Sequence, residues 1–85
     1  GKIIYVESEG NYLTIFTDDA RYLVRNSLDW FIKAVPAKNF LRVHRSYVIN
    51  GNKAEALSSG QVTVAGCKIP VSRNNLALLK ETLFG

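Results

Sequence analysis

Along most of this chain apolar and polar residues alternate in short blocks, the period of strands that bury one face. Ile3 to Val6 is β-branched and aromatic and predicts a first strand. Ser8-Glu9-Gly10-Asn11 interrupts it with turn chemistry, and Tyr12–Thr17 resumes the extended pattern. Asp18-Asp19 predicts a tight turn into Arg21–Val24, aspartate tolerating the unusual backbone angles of a hairpin. The period then changes. Leu28, Phe31, Ile32 and Val35 fall at i, i+3, i+4 and i+7, one helical stripe that ends before Pro36. Ser27 is its expected N-cap, and Asp29 in the first turn suits the helix dipole. Trp30 falls off the stripe and is expected against a neighbouring domain.

The next stretch, Asn39-Phe40-Leu41-Arg42-Val43-His44-Arg45-Ser46-Tyr47-Val48-Ile49-Asn50, mixes anchors and heads. Phe40, Leu41, Val43, Tyr47, Val48 and Ile49 can root it in a core, leaving Arg42, His44, Arg45 and Ser46 to project from a rigid base. Asn50-Gly51-Asn52 is a turn signal. Strands are predicted at Lys53–Leu57, Gln61–Ala65 and Cys67–Val71, separated by Ser58-Ser59-Gly60 and by Gly66. Pro70 cannot donate to a ladder, so the last of these is an edge or stops early. Ser72 is expected to cap a closing helix, Asn74 to Leu83, with Leu76, Leu79 and Leu83 on one face. The tally is roughly seven short strands and two short helices, a mostly β domain.

At 85 residues and 47% hydrophobic, the chain makes one domain with a single modest core. No apolar run is long enough to cross a membrane and no charged-then-apolar leader opens the sequence. The lone Cys67 cannot form an internal disulfide, which fits a reducing, cytoplasmic setting; set in an apolar hairpin, it is expected to be a buried packing residue. Charge is unevenly spread. Residues 1–29 hold Lys2, Arg21 and Arg25 against Glu7, Glu9, Asp18, Asp19 and Asp29. Residues 30–80 hold Lys33, Lys38, Arg42, Arg45, Lys53, Lys68, Arg73 and Lys80 against Glu55 alone. One-sidedness of this kind attracts polyanions through counterion release.

Catalysis finds little support. Glu7 and Glu9 would share a strand face, but carboxylates beside a turn are commonly just solvated. Cys67 and His44 supply one thiol and one imidazole, too few for a metal site, and nothing marks them as nucleophile and base. Gly10, Gly51, Gly60 and Gly66 lack the spacing of a phosphate-cradling loop. No enzyme, metal or cofactor is expected. Nucleic-acid recognition fits better, because Arg matches guanine, Asn matches adenine and His can donate to a base or a phosphate. Such residues occur at three turns or element boundaries: Asn11, the His44-Arg45-Ser46 run, and Arg73-Asn74-Asn75. Ser72 to Asn75 also opens a helix, where backbone N–H groups favour a phosphate. Taken alone, Asn74 and Asn75 read as polar filler of a first turn, and His44 equally as a packed ring bonded to a backbone carbonyl. Tyr12 and Tyr47 are the tyrosines placed to donate to a phosphate.

Three strings carry a resemblance: Ile4-Tyr5-Val6-Glu7-Ser8-Glu9-Gly10-Asn11-Tyr12, Phe40-Leu41-Arg42-Val43-His44-Arg45-Ser46-Tyr47-Val48-Ile49-Asn50, and Ile69-Pro70-Val71-Ser72-Arg73. In this order and spacing, over nearly the whole chain, they resemble the LytTR DNA-binding domain of bacterial LytR/AgrA-type response regulators. The resemblance implies an elongated, mostly β domain of small stacked antiparallel sheets with two short helices. It implies that loops, not a recognition helix, enter successive major grooves of double-stranded DNA. Carried over by position, the reading loops fall near Asn11, at His44-Arg45 and at Arg73, with Arg42, Ser46 and Tyr12 as phosphate contacts or supports. It also implies that residues 1–85 are one domain of a longer two-component transcription regulator, with an upstream receiver or sensory domain and promoter direct repeats as targets. Such domains usually carry a further strand before the position of Ile3, so that strand is expected to be missing. Without heptads or a long amphipathic helix, the domain alone is expected to be a monomer. The runner-up function is a β-rich protein-interaction module that pairs its Cys67–Val71 edge with a partner strand. Single-stranded RNA binding ranks lower, since Tyr and Phe sit mostly in apolar alternation rather than as stacking platforms.

Overall fold

The computed structural model describes residues 3–35 and 39–85. Its elements run β1 (Ile3–Glu9), β2 (Tyr12–Thr17), β3 (Arg21–Val24), α1 (Leu28–Ala34), β4 (Phe40–His44), β5 (Tyr47–Asn50), a 3-10 turn (Gly51–Lys53), β6 (Ala54–Ser58), β7 (Gln61–Val64), β8 (Cys67–Pro70) and α2 (Arg73–Phe84). Two antiparallel sheets result, one ordered β3-β2-β1-β5-β4 and one ordered β6-β7-β8. The described residues extend 33 × 25 × 23 Å, drawn out along one axis. The helix at Ser27 forms as the stripe requires, the serine accepting from Trp30 N–H at 3.1 Å. Pro36, its expected stop, lies outside the described residues, as do Lys2 and Lys38.

The larger sheet separates two cores. On one face Val6, Leu13 and Val48 meet Leu28 and Phe31 of α1, with Ile3, Ile15, Ile32, Val35 and Phe40 around them. On the other, Val43 and Ile49 meet Val62, Val64 and Ile69 of the smaller sheet and Val71 and Leu79 beside or within α2. Leu76, Leu79 and Leu83 do share the inward face expected of them. Strand alternation explains the division: Val6 pairs with Val48 and looks one way, while Tyr5 pairs with Ile49 and looks the other. Trp30, off the stripe, is exposed, as are Tyr22 and Leu23 on the edge strand β3.

Several sequence expectations need correcting. The central stretch is two strands, not one, joined at Arg45-Ser46, which gives eight strands in all among the described residues. Gln61–Ala65 ends a residue early, because Ala65 takes φ 49° and pairs with Gly66 at φ 83° to form the turn. Ser59 (φ 55°) and Gly60 (φ 74°) do the same after β6, so both small hairpins turn on two left-handed residues, the twist such connections require. Asp18 and Asp19, by contrast, keep negative φ. There the side chain of Thr17 organises the bend, accepting from Ala20 N–H at 3.1 Å and donating towards Asp19 Oδ1 at 3.2 Å. Cys67 is exposed rather than buried. It opens the edge strand straight after the Ala65-Gly66 turn, so Ile69, two residues on, is the side chain that β8 sends into the core.

Asn50 closes the structure at the far end from the Arg45-Ser46 turn. Its Nδ2 donates to Ile3 carbonyl at 2.9 Å, and its Oδ1 accepts from Asn52 N–H at 3.0 Å and from Asn39 Nδ2. Gly51 follows because there is no room for more: an added Cβ would stand 3.0 Å from Asn39 carbonyl and 3.1 Å from Leu41. Gly51→Ala should therefore destabilise the domain by about 1–3 kcal/mol through overpacking. Ile49→Ala, emptying a fully buried position, should cost about 2–5 kcal/mol. Urea unfolding measured by circular dichroism checks both; a wild-type midpoint for either would contradict this packing.

Candidate nucleic-acid interface

Two backbone hydrogen bonds gather the three loops singled out in the sequence. Ser8 N–H donates to Ser46 carbonyl at 2.8 Å, extending the β1–β5 ladder to the turn and bringing the Gly10-Asn11 turn alongside it. Ser72 N–H donates to Val43 carbonyl at 2.8 Å, fastening the start of α2 to the other side of the same hairpin. The β4–β5 hairpin is thus the hub. An open groove of about 530 Å³ lies beside it, lined by Arg42, His44, Arg45, Ser72, Asn74 and Asn75. Asn11 and Tyr12 belong to the neighbouring turn and do not line it, nor do Ser46 and Arg73. Arg73 is exposed between Ser72 and Asn74, which do.

A register shift between Arg42 and His44 aims these side chains. Arg42 pairs with Val48 and His44 with Tyr47, so Val43 is the extra residue of a β-bulge. Val43 still enters the core, while the His44 ring sits edge-on to Tyr47 with centroids 5.5 Å apart. His44 Nδ1 accepts from Ser46 N–H at 3.1 Å, which assigns the neutral ring's hydrogen to Nε2. The histidine is therefore bonded to the backbone, through an N–H and not through the carbonyl of the packed-ring alternative, and its Nε2–H remains a donor. Arg42 is engaged as well. One arm of its guanidinium meets Asp29 Oδ1 at 2.5 Å, and the other donates to Arg45 carbonyl at 3.1 Å.

At the start of α2, Ser72 occupies the N-cap without its side chain capping the backbone. Its Oγ instead accepts from Asn75 Nδ2 at 2.7 Å, so Asn75 is a brace of the loop more than a free head. Arg45, Arg73, Asn74 and Asn11 are exposed. Among the described residues, neither Arg45 nor Arg73 makes an ion pair. Sequence reasoning missed the Asp29 contact to Arg42, because a pairing across 13 positions and two elements leaves no local signature. It also missed the asparagine network around Asn50, for which the turn signal at Asn50-Gly51-Asn52 was a partial clue.

Tyr47 is less available than Tyr12. Its hydroxyl donates to Glu7 Oε2 at 3.3 Å, whereas Tyr12 is exposed beside Asn11. Burial first, then the Glu7 carboxylate it faces, pushes the Tyr47 phenol above the usual value. Tyr5, stacked on Phe16 at 4.4 Å, is raised too, by burial and then by Cys67 and Glu7 nearby. No group of three or more potential metal ligands occurs among the described residues, and none of their helices is long and apolar enough to cross a membrane.

The domain is thus defined by two antiparallel sheets, two helices, and exposed Arg45 and Arg73 beside a central hairpin. The family can be given: residues 1–84 match the model of the LytTr DNA-binding domain, and this chain belongs to that family. It is 33% identical to the sensory transduction protein LytT of Bacillus subtilis over 87 residues, 95% of this chain and 36% of that protein. It is also 33% identical to the heme-containing CO-sensing transcriptional regulator RcoM 2 of Paraburkholderia xenovorans, over 95% of this chain and 33% of that protein. The chain thus spans about a third of the length of these relatives. Among solved structures, the LytTr DNA-binding domain of a Bacillus cereus protein described as a methyl-accepting/DNA response regulator superposes with a TM-score of 0.83. That match covers 99% of this chain and 83% of the other at 22% identity, and it shows the same fold.

The raised phenols give a pH dependence of known sign. A folded-state pKa above the ordinary 10.0 means that folding favours the protonated phenol. The stability this contributes is complete below that value and is lost as pH rises through the folded-state values. Stability should fall as pH is raised beyond about 10, and fall less in the Tyr5→Phe/Tyr47→Phe double variant. Urea midpoints across that range test this, and equal losses in both proteins would contradict it.

Proposed function

We propose that this domain binds double-stranded DNA sequence-specifically, as the output module of a bacterial transcription regulator. Its loops at Asn11, His44-Arg45 and Arg73 read base edges in successive major grooves. The observation that carries the reading is the fastening of all three loops to one hairpin, with Arg45 and Arg73 exposed and, among the described residues, unpaired by acids. A guanidinium without a carboxylate partner is free to match the O6 and N7 of guanine. Asn74, and Tyr12 through its exposed hydroxyl, are suited to phosphates, while Arg42, Ser46 and Asn75 support the loops. Relatives named for sensory transduction and CO sensing support an upstream receiver or sensory domain in a longer cytoplasmic protein, of which residues 1–85 are one domain.

The alternative, strand addition at a sheet edge, keeps one observation in its favour: β8 is an edge. Pro70 removes one of its donors, and strand pairing gives no steep salt response. Affinity for duplex DNA should fall steeply between about 50 and 200 mM salt if several phosphates are neutralised; a flat response would sink the DNA reading. With the duplex that the domain selects from a random pool, Arg45→Ala or Arg73→Ala should each cost about 1–3 kcal/mol and relax preference at one base position. Lys33→Ala, on α1, should change little, and equal small effects from all three would refute the assignment of the loops.

A single module of this size covers about 600–1,000 Å² of DNA-facing surface, so tight binding calls for two copies on direct repeats. An upstream domain that dimerises would supply them by raising effective concentration, the isolated domain being a monomer. Inserting about half a helical turn between repeats should weaken joint binding of the longer protein, and a whole turn should restore part of it. Indifference to this spacing in gel-shift titrations would remove the paired arrangement.

A further inference from the structure

The Arg45-Ser46 turn has almost no polar backbone group left over. Ser46 N–H is held by His44 Nδ1, Ser46 carbonyl by Ser8 N–H, and Arg45 carbonyl by Arg42 Nη2. The first two bonds come from the hairpin itself or from a paired neighbour. The third depends on a side chain that must itself be aimed, and what aims it is Asp29. Arg42 pairs with Val48 in the sheet, so its side chain leaves on the α1 side. There Leu28 and Phe31, each 3% exposed, anchor the first turn of α1 and with it the backbone of Asp29. The planar fork of Arg42 then spans two elements, one arm on the helix carboxylate and the other on the turn carbonyl.

We infer that Asp29 is a positioning residue for base reading: through Arg42 it holds the Arg45-Ser46 turn in the one orientation from which Arg45 can contact a base edge. The inference rests on the DNA-reading function proposed above. Folding stability does not account for the pair. Its side chains are 73% and 39% exposed, and ion pairs so placed contribute little to stability. Nor does attraction of DNA account for it, since an acid beside a polyanion's path weakens general binding. Asp29 is justified if the geometry it imposes on Arg45 outweighs that repulsion, as preorganised contacts do by reducing the entropy lost on binding.

Two alternatives for Arg42 and Asp29 predict opposite results, which makes the test sharp. If Arg42 were a phosphate contact that Asp29 merely competes for, Asp29→Asn would strengthen binding to every duplex. Arg42→Lys, keeping the charge, would then behave as wild type. In the positioning role, Asp29→Asn lowers the ratio of affinities for the selected duplex and a scrambled one by about fivefold, the lower end of what one bidentate base contact contributes. Arg42→Lys lowers it similarly, because an ammonium lacks the planar fork. Asp29→Glu, which restores the carboxylate, should recover part of the ratio. Melting temperatures of all three variants should match wild type and show that each is folded. The experiment is a fluorescence-anisotropy titration of both duplexes at fixed salt, with the preferred base at each site position redetermined for Asp29→Asn. Loss of preference confined to the position that Arg45→Ala also relaxes supports the inference. An unchanged ratio in Asp29→Asn and Arg42→Lys overturns it and leaves the DNA-reading function standing. A wild-type protein that does not distinguish the two duplexes removes that function, and this inference with it.

Discussion

Val48 and Ile49 are consecutive residues, both fully buried, and they face opposite cores. A strand can bury neighbours in this way only when both of its faces are covered, so β5 must lie inside the molecule with α1 against one face and the smaller sheet with α2 against the other. Everything else follows from that requirement. β1 and β4 flank β5, Val6 and Tyr5 fall in step with Val48 and Ile49, and a slip of one residue would exchange the two cores' side chains. Register is therefore fixed at the centre of the domain. The hairpin that carries Arg45 is an extension of the best-specified pairing in the fold.

A polar end answers a rigid middle. Beyond Val43 and Tyr47 the hydrophobic contacts give out and hydrogen bonds take over: the histidine brace on Ser46, the arginine brace on Arg45 carbonyl, and the ladder bond from Ser8. Each is modest alone, about 1 kcal/mol or less for most such bonds. Their joint effect is on orientation, because they act on a turn whose base cannot move. At the opposite end Asn50 fastens Ile3, Asn39 and Asn52 in the same manner.

Much of this arrangement was legible in the residues. Strand alternation at Tyr12–Thr17 and Gln61–Val64, the stripe from Leu28 to Val35, and the Ser27 cap have local signatures, and they formed where expected. The three loops could be named because Arg, His and Asn stood at element boundaries. The split of the central stretch was harder to see, since Arg45-Ser46 lacks the glycine or asparagine that usually marks a two-residue turn. Ala65 was hidden for a similar reason, its left-handed conformation being imposed by the hairpin against its own preference. Cys67 was misjudged because composition gives a residue's affinity for a core but not whether anything covers that end of an edge strand. Asp29 and Asn50 escaped because their partners are remote in sequence, and only the folded chain brings them together.

Most of the backbone of the Arg45-Ser46 turn is held by neighbours, and among the described residues the Arg45 and Arg73 side chains make no ion pair. Exchanging either for another exposed side chain should leave folding nearly untouched. The cost of altering the tips is thus separated from the cost of keeping the scaffold intact. If the tips read DNA as proposed, a lineage of such domains can wander among operator sequences by single substitutions, without passing through unfolded intermediates, so long as the bracing residues behind the tips stay in place.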